Sequence, residues 1–198
     1  MNENIIKSPI YKLTLSAIFI ALATGLSFIK IIKMPLGGSV TLLSMLPIIM
    51  ISLMLGLKWG IGSAFVYSLL QLLFGITLDG LFGWGLTPVM LVGTIFLDYI
   101  LAFTVLGFAG IFAKKGYAGI CAGTVIVILL RFVCHFISGF IIFSNLSQFE
   151  LFGRFFENRP VLYSLAYNGL YMLPELVITV IAAAVIFKLP QIKKLCGI

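Results

Sequence analysis

The chain has 198 residues, of which 62% are hydrophobic and only 10% are charged. Soluble domains carry about 25% charged residues, so this composition excludes an ordinary soluble protein and predicts an integral membrane protein. The formal net charge of +7 does not indicate nucleic-acid binding, because the lysines cluster in short segments beside apolar stretches. We predict a single six-helix transmembrane domain over residues 1–198.

Six apolar segments of membrane-spanning length follow one another along the chain. We predict an all-α membrane protein with both termini cytoplasmic, because Lys and Arg are enriched in cytoplasmic segments. In this orientation the inner segments hold eight basic residues and the outer segments four. The inner residues are Lys7, Lys12, Lys58, Lys114, Lys115, Lys188, Lys193 and Lys194, and the outer ones are Lys30, Lys33, Arg154 and Arg159. The predicted helices occupy residues 10–29, 39–56, 60–76, 88–113, 118–143 and 162–187.

The first predicted span carries small residues at a spacing of four. Ala17 and Ala21 share one helix face, and this spacing lets helices approach closely in a membrane. The pattern fits internal packing of the bundle or a docking face for a separate membrane subunit.

Two outer segments are more than simple connectors. Residues 33–39 contain one Pro and two Gly, which favour a mobile turn. Residues 144–161 carry four Phe, which fits either an amphipathic segment at the headgroup level or a lid that forms a roof over an outward-facing pocket. The loop around Trp84 is a candidate contributor to the same roof.

Four ionisable side chains lie inside the predicted spans: Asp98, Arg131, His135 and Glu175. A charge at the bilayer centre costs about 2.5–3.5 kcal/mol on insertion scales, so such groups face a protein interior or a wet cavity. They indicate a ligand site or an internal ion-pair network. Arg131 is expected to pair with Asp98 or Glu175. For Glu175 itself, ligand contact, partner coupling and a structural role stay open.

Helical spacing brings further polar and aromatic side chains to these charges. Arg131 and His135 are four residues apart and share one face of the fifth span. Carboxylates, carboxamides and aromatic faces together suit a cationic or amino-bearing aromatic ligand. The sixth span contributes a carboxamide and a row of phenols, from Asn168, Tyr163, Tyr167 and Tyr171.

Motifs for an enzyme, a metal site or a nucleotide site are missing from the sequence. Cys121, Cys134 and Cys196 lack metal-ligand spacing, and we predict no metal and no cofactor. No nucleophile elbow, zinc-protease motif or nucleotide-binding loop occurs, so we predict that the chain is not an enzyme. A proton-coupled carrier that uses His135 and the buried acids as a relay is a competing hypothesis. Six helices without a visible inverted repeat are few for such a carrier.

Four motifs in order along the chain resemble the substrate-binding S-components of energy-coupling factor (ECF) transporters, particularly the thiamine-specific group. They are MPLGGSV at 34–40, LDY at 97–99, LRFVCHFISG at 130–139 and YSLAYN at 163–168. The resemblance extends from the first helix to the last.

This resemblance implies a multi-pass subunit of a prokaryotic plasma membrane that binds thiamine with high affinity and performs no covalent chemistry. The implied partners are the lipid bilayer, a transmembrane coupling subunit and two cytoplasmic ATPase subunits. Ala17 and Ala21 match the pattern that docks on the coupling subunit, and the first outer loop is implied to cover the pocket. The alternative is a proton-coupled secondary carrier for thiamine, a related small vitamin or a pyrimidine precursor.

The resemblance also implies which residues bind the ligand. The acid that contacts the aminopyrimidine corresponds to Asp98, where some relatives carry Glu. Phe143 occupies a position at which relatives often carry a Trp that stacks on the ligand. The full set of implied binding residues is Asp98, Arg131, His135, Phe143, Tyr163 and Asn168.

Overall fold

Six helices make up most of the chain in a computed structural model that describes residues 8–34, 37–143, 150–151, 154–155 and 159–196. Four of them are regular α-helices. A short seventh helix, α7, covers Pro190–Cys196. The regular helices are α1 (Pro9–Ser27), α2 (Leu46–Leu55), α3 (Leu57–Thr77) and α6 (Pro160–Ile186).

The two central helices, α4 (88–115) and α5 (116–143), change geometry along their length. α5 is α-helical over Gly116–Ser138 and π-helical over Gly139–Phe143. π-helical turns inside longer helices occur frequently at functional sites. α4 consists of an α-helical, a π-helical, a second α-helical and a 3₁₀ segment, at Pro88–Thr94, Ile95–Leu101, Ala102–Thr104 and Val105–Lys115 respectively.

Among the described residues, four apolar stretches are long enough to cross a membrane, and one of them is a pair of helices. That stretch, Pro88–Phe143, has 56 residues and folds back on itself between α4 and α5. By contrast, α2 has ten residues, about 15 Å of helix against a hydrocarbon core of about 30 Å. Its residues Leu46 to Leu53 are all buried in the bundle. The chain is therefore a mostly helical membrane protein with six bundled helices, the second of which is short and enclosed.

The start of the second predicted span is wrong. Residues 39–41 are not helical: strand β2 (Ser39–Thr41) pairs antiparallel with strand β1 (Lys30–Lys33), and α2 begins only at Leu46. Val40 is buried in the core at 3% exposure, which explains the apolar signal. A short apolar run does not by itself distinguish a buried strand from a helix.

A second small hairpin lies between α5 and α6. Strand β3 (Glu150–Leu151) pairs antiparallel with β4 (Arg154–Phe155). Most of the segment 144–161, which we predicted as an interfacial segment or a lid, lies outside the described residues.

Helices α3 and α4 approach each other so closely that one glycine is required. A Cβ atom added at Gly107 would lie 2.6 Å from the Cα atom of Ile61 and 2.7 Å from the carbonyl of Gly60. Both contacts are with backbone, which cannot move aside as a side chain can. Ser52 also enters this region, where its hydroxyl donates to the Gly107 carbonyl and accepts from the Gly110 N–H at 2.8 Å. Ser52 thus bonds to two backbone groups inside the 3₁₀ segment of α4, and a side chain inserted into the hydrogen-bond ladder of a helix is a known cause of departure from α-helical geometry.

Gly107→Ala should therefore lower the free energy of unfolding by about 1–3 kcal/mol, the typical cost of overpacking. The matched control is Gly62→Ala on α3, because a Cβ atom there meets nothing within 4 Å. Thermal unfolding of the two purified variants in detergent measures the difference. Equal midpoints would contradict the close approach at Gly107.

Candidate functional site

A cavity opens at the end of the bundle that carries the β1–β2 hairpin and the loop around Trp84. Its empty volume, including the space open to solvent, is about 920 Å³. All six residues that the sequence analysis named as binding residues line it. They are Asp98 from the π-helical turn of α4, Arg131, His135 and Phe143 from α5, and Tyr163 and Asn168 from α6.

The polar part of the cavity wall is centred on the Asp98 carboxylate. His135 Nδ1 lies 2.8 Å from Asp98 Oδ1, and the Ser138 hydroxyl donates a hydrogen bond to Asp98 Oδ2. Arg131 Nε donates to His135 Nε2 at 3.2 Å. Because a guanidinium only donates, Nε2 is the acceptor and the proton lies on Nδ1, which donates to Asp98. The imidazole in this arrangement is neutral, and the Asp98 carboxylate accepts hydrogen bonds from both His135 and Ser138.

Arg131 does not pair with Asp98 or Glu175, contrary to our expectation. In the described part of the chain its guanidinium makes no ion pair with Asp98 or Glu175 within 4 Å. Instead its central carbon lies 4.1 Å from the centroid of the Phe103 ring, a cation–π contact. The guanidinium is held against an aromatic face and is linked to Asp98 by hydrogen bonds through His135.

Asn168 links α5 to α6 at the edge of the cavity. Its side-chain NH₂ donates to the His135 carbonyl at 3.1 Å and to the Ser164 carbonyl at 2.9 Å, and its oxygen accepts from the Tyr171 hydroxyl at 2.8 Å. Only 3% of the residue is exposed. The carboxamide that we expected to pair with a ligand is thus engaged by the protein, and a ligand would have to share or replace these bonds.

Aromatic rings form the remaining walls. The Tyr163 and Tyr167 rings are stacked with centroids 5.8 Å apart, and Tyr171 stands edge-on to His135 at 5.9 Å. On the opposite side Phe143 and Trp84 meet at 6.1 Å in a T-shaped arrangement. Aromatic faces around a desolvated space attract cations by about 2 kcal/mol or more.

The first outer segment lies directly against this aromatic wall. Gly37 has φ +93°, and a Cβ atom there would lie 2.8 Å from Trp84. At Gly38 an added Cβ would lie 2.9 Å from the Tyr171 ring. Both positions therefore need glycine, the first for its backbone conformation as well as for space. The neighbouring residues 35 and 36 of the predicted turn lie outside the described residues.

Glu175 anchors the second strand of that hairpin to α6. Its Oε1 accepts hydrogen bonds from the backbone N–H of Thr41 and from the Thr41 hydroxyl, the latter at 2.7 Å. Only 2% of Glu175 is exposed. Glu175 therefore makes a structural contact with the hairpin, and it also lines the cavity.

Sequence reasoning missed an ion pair at the mouth of the cavity. Lys30 Nζ lies 2.9 and 3.2 Å from the two carboxylate oxygens of Asp79, and both residues line the cavity. The Trp84 indole N–H donates to the Asp79 carbonyl at 3.0 Å. One sequence feature could have indicated this ion pair. Lys30 and Asp79 have opposite charges and follow the first and third predicted spans, which places both on the same side of the membrane.

Ala17 and Ala21 both face away from the bundle. Each is exposed, whereas Ala23 on the same helix is fully buried. A second pair with the same spacing, Ala118 and Ala122 on α5, is also exposed. The sequence analysis did not single out this second pair.

Comparison with known proteins identifies the family. A family model described as thiamine transporter protein matches residues 13–194. The thiamine transporter ThiT of Bacillus subtilis (strain 168) is 32% identical over 188 residues, which cover 88% of this chain and 86% of that protein. The solved structure of ThiT from Listeria monocytogenes is similar in fold, with a TM-score of 0.73 at 23% identity, over 94% of this chain and 97% of that one.

These findings confirm the resemblance to the thiamine-specific group and the prediction of a multi-pass bacterial membrane protein. They also confirm the prediction that the chain is not an enzyme, because the family and the relative are transporters. The chain belongs to the thiamine transporter protein family.

Proposed function

We propose that this chain is the substrate-capture subunit of a thiamine importer and that it binds thiamine in the cavity described above. The observation that carries the proposal is the Asp98 carboxylate, which faces an aromatic-walled cavity on a chain of this family. Thiamine has a fixed positive charge and an exocyclic amine. A carboxylate that makes no ion pair with a Lys or Arg of the described residues, next to aromatic faces, complements both features.

Each of the six residues has a role in this proposal. Asp98 accepts a hydrogen bond from the aminopyrimidine, and His135 holds that carboxylate while Arg131 orients the imidazole. Asn168 keeps α5 and α6 at the spacing that the ligand requires. Tyr163 and Phe143 provide aromatic walls for the two rings of thiamine.

The proposed orientation places the cavity mouth outside the cell and both termini in the cytoplasm. The support is the distribution of charge along the bundle. The mouth is built by residues such as Lys30, Asp79 and Trp84. Lysines crowd the connections at the opposite end, at Lys12, Lys58, Lys114, Lys115, Lys188 and Lys193.

Release of thiamine into the cell requires an energy source, which we assign to partner subunits. The sequence contains no nucleotide-binding loop, so the proposal assigns ATP hydrolysis to two cytoplasmic ATPase subunits that act through a transmembrane coupling subunit. The exposed pair Ala17 and Ala21 supports docking of α1 on that coupling subunit, since small residues allow close helix approach in lipid.

Asp98→Asn should weaken thiamine binding about tenfold or more, a loss of about 1.4 kcal/mol. The variant keeps the size of the side chain but removes its charge and one acceptor oxygen. Isothermal titration calorimetry on the purified protein measures the change. The control is Val92→Ala on the same helix, because Val92 is 67% exposed and points away from the cavity. Unchanged affinity in Asp98→Asn would remove this residue from the site.

Replacing Ala17 and Ala21 together with Leu should abolish thiamine uptake by cells while leaving binding by the purified chain unchanged. The added side chains would hold the coupling subunit away from α1. The matched control replaces Ala118 and Ala122 with Leu, which have the same spacing and exposure on α5. Loss of uptake in the control alone would move the docking face to α5.

Uptake into vesicles should require ATP and the partner subunits. The purified chain reconstituted alone is expected to bind radiolabelled thiamine without accumulating it under an imposed pH gradient. Accumulation by the chain alone would favour the proton-coupled carrier.

A further inference from the structure

The β1–β2 hairpin beside the cavity is fastened to the bundle through both of its strands, but by contacts of different kinds. Strand β2 is held in the interior, where Thr41 binds the carboxylate of Glu175. Thr41 and Glu175 are 7% and 2% exposed. Separating these groups would leave a buried carboxylate without its donors, which is costly.

Strand β1 has weaker apolar contacts than β2. All four of its residues are exposed, including Ile31 at 59% and Ile32 at 46%, so apolar packing contributes little to holding the strand. Its hold on the bundle is the Asp79 carboxylate, which lies 2.9 Å from Lys30 Nζ and 3.8 Å from Lys33 Nζ. The side chains of Lys30 and Asp79 are 28% and 15% exposed.

Asp79 also connects this strand to the other part of the roof. Its backbone carbonyl accepts the Trp84 indole N–H, and Trp84 in turn contacts Gly37 near the tip of the hairpin. Lys30 pairs with Thr41 across the hairpin, so the two fastenings lie opposite each other at its base. Loss of the Asp79 contact would leave the paired strands fastened through Thr41, about which the hairpin can tilt.

We propose that Asp79 is a positioning residue that, through Lys30, keeps the β1–β2 hairpin against the cavity and so sets the rate of ligand release. This rests on the proposed function for the identity of the ligand. The opening motion pivots at Thr41 and begins at the ion pair, because an exposed ion pair is weaker than a buried, hydrogen-bonded carboxylate.

A direct contact between Asp79 and a cationic ligand is the competing explanation, since Asp79 lines the cavity. The two explanations differ in the sign of the effect at Lys30. If Asp79 acts as a fastening, Asp79→Asn and Lys30→Gln both accelerate ligand dissociation. If Asp79 contacts the ligand cation, Lys30→Gln removes a repulsive charge and slows dissociation, while Asp79→Asn still accelerates it.

The test compares wild type, Asp79→Asn, Lys30→Gln and the control Lys58→Gln in the purified full-length chain. Lys58→Gln makes the same change of charge at an exposed site at the other end of α3. Hydrogen exchange by mass spectrometry, without ligand, follows the amides of residues 30–33 and 39–41. We expect these amides to exchange about two- to fivefold faster in Asp79→Asn and Lys30→Gln than in wild type. The exchange rate of the control Lys58→Gln should equal that of wild type. Raising the salt to about 1 M should accelerate wild type but not Asp79→Asn.

Stopped-flow dissociation of thiamine is the second readout. We expect both variants to release thiamine about two- to fivefold faster than wild type, with Lys58→Gln unchanged. Unchanged hydrogen exchange in both variants, or slower release from Lys30→Gln, would overturn the role of Asp79. Failure of wild type to bind thiamine would instead overturn the proposed function, and hydrogen exchange would still decide whether Asp79 fastens the hairpin.

Discussion

A carboxylate enclosed in an apolar helix bundle needs hydrogen-bond donors or a positive charge to offset its loss of water. Most of the site follows from how the protein meets this need at Asp98. An ion pair with an arginine would neutralise the carboxylate and leave no negative charge to attract a cationic ligand. The chain instead compensates Asp98 with a neutral imidazole and a hydroxyl, from His135 and Ser138. The negative charge is thereby stabilised but not cancelled, and it faces the cavity. In this account a cationic ligand completes the compensation.

The packing of α4, α5 and α6 holds Asp98 and its hydrogen-bond partners within contact distance of each other. Asp98 lies in the π-helical turn of α4, and α5 becomes π-helical immediately after Ser138. Helix α5 is then joined to α6 through Asn168 and through the Ser164 hydroxyl, which donates to the Phe136 carbonyl at 2.6 Å. A Cβ atom at Gly139 would lie 2.5 Å from the Ser164 hydroxyl oxygen, so glycine at this position leaves room for the α6 side chains against α5. Small residues at this crossing let the Asp98 network and the aromatic wall of α6 share one cavity.

Hydropathy and helical spacing were sufficient to predict most of the helices in the bundle and most of the residues that line the site. Pairs four residues apart, such as Arg131 and His135, face the same cavity because helix geometry requires it. The hairpin strand at 39–41 could not be predicted, because a short apolar run fits a buried strand and a helix equally well. The Arg131–Phe103 contact and the Lys30–Asp79 ion pair depend on how the helices pack against each other, so no local sequence pattern predicts them. The π-helical turns have no sequence signature for the same reason.

The most direct test of thiamine binding in this cavity uses Trp84 as the reporter. The chain has two tryptophans, and Trp59 lies near the other end of α3, so Trp59→Phe leaves only the indole that lines the cavity. Thiamine is added to this variant, purified and shown to be folded, with riboflavin and biotin as comparison ligands. The account predicts saturable quenching of Trp84 emission by thiamine at submicromolar concentration and no response to the other two vitamins. No response to thiamine, together with no heat of binding by calorimetry, would contradict it.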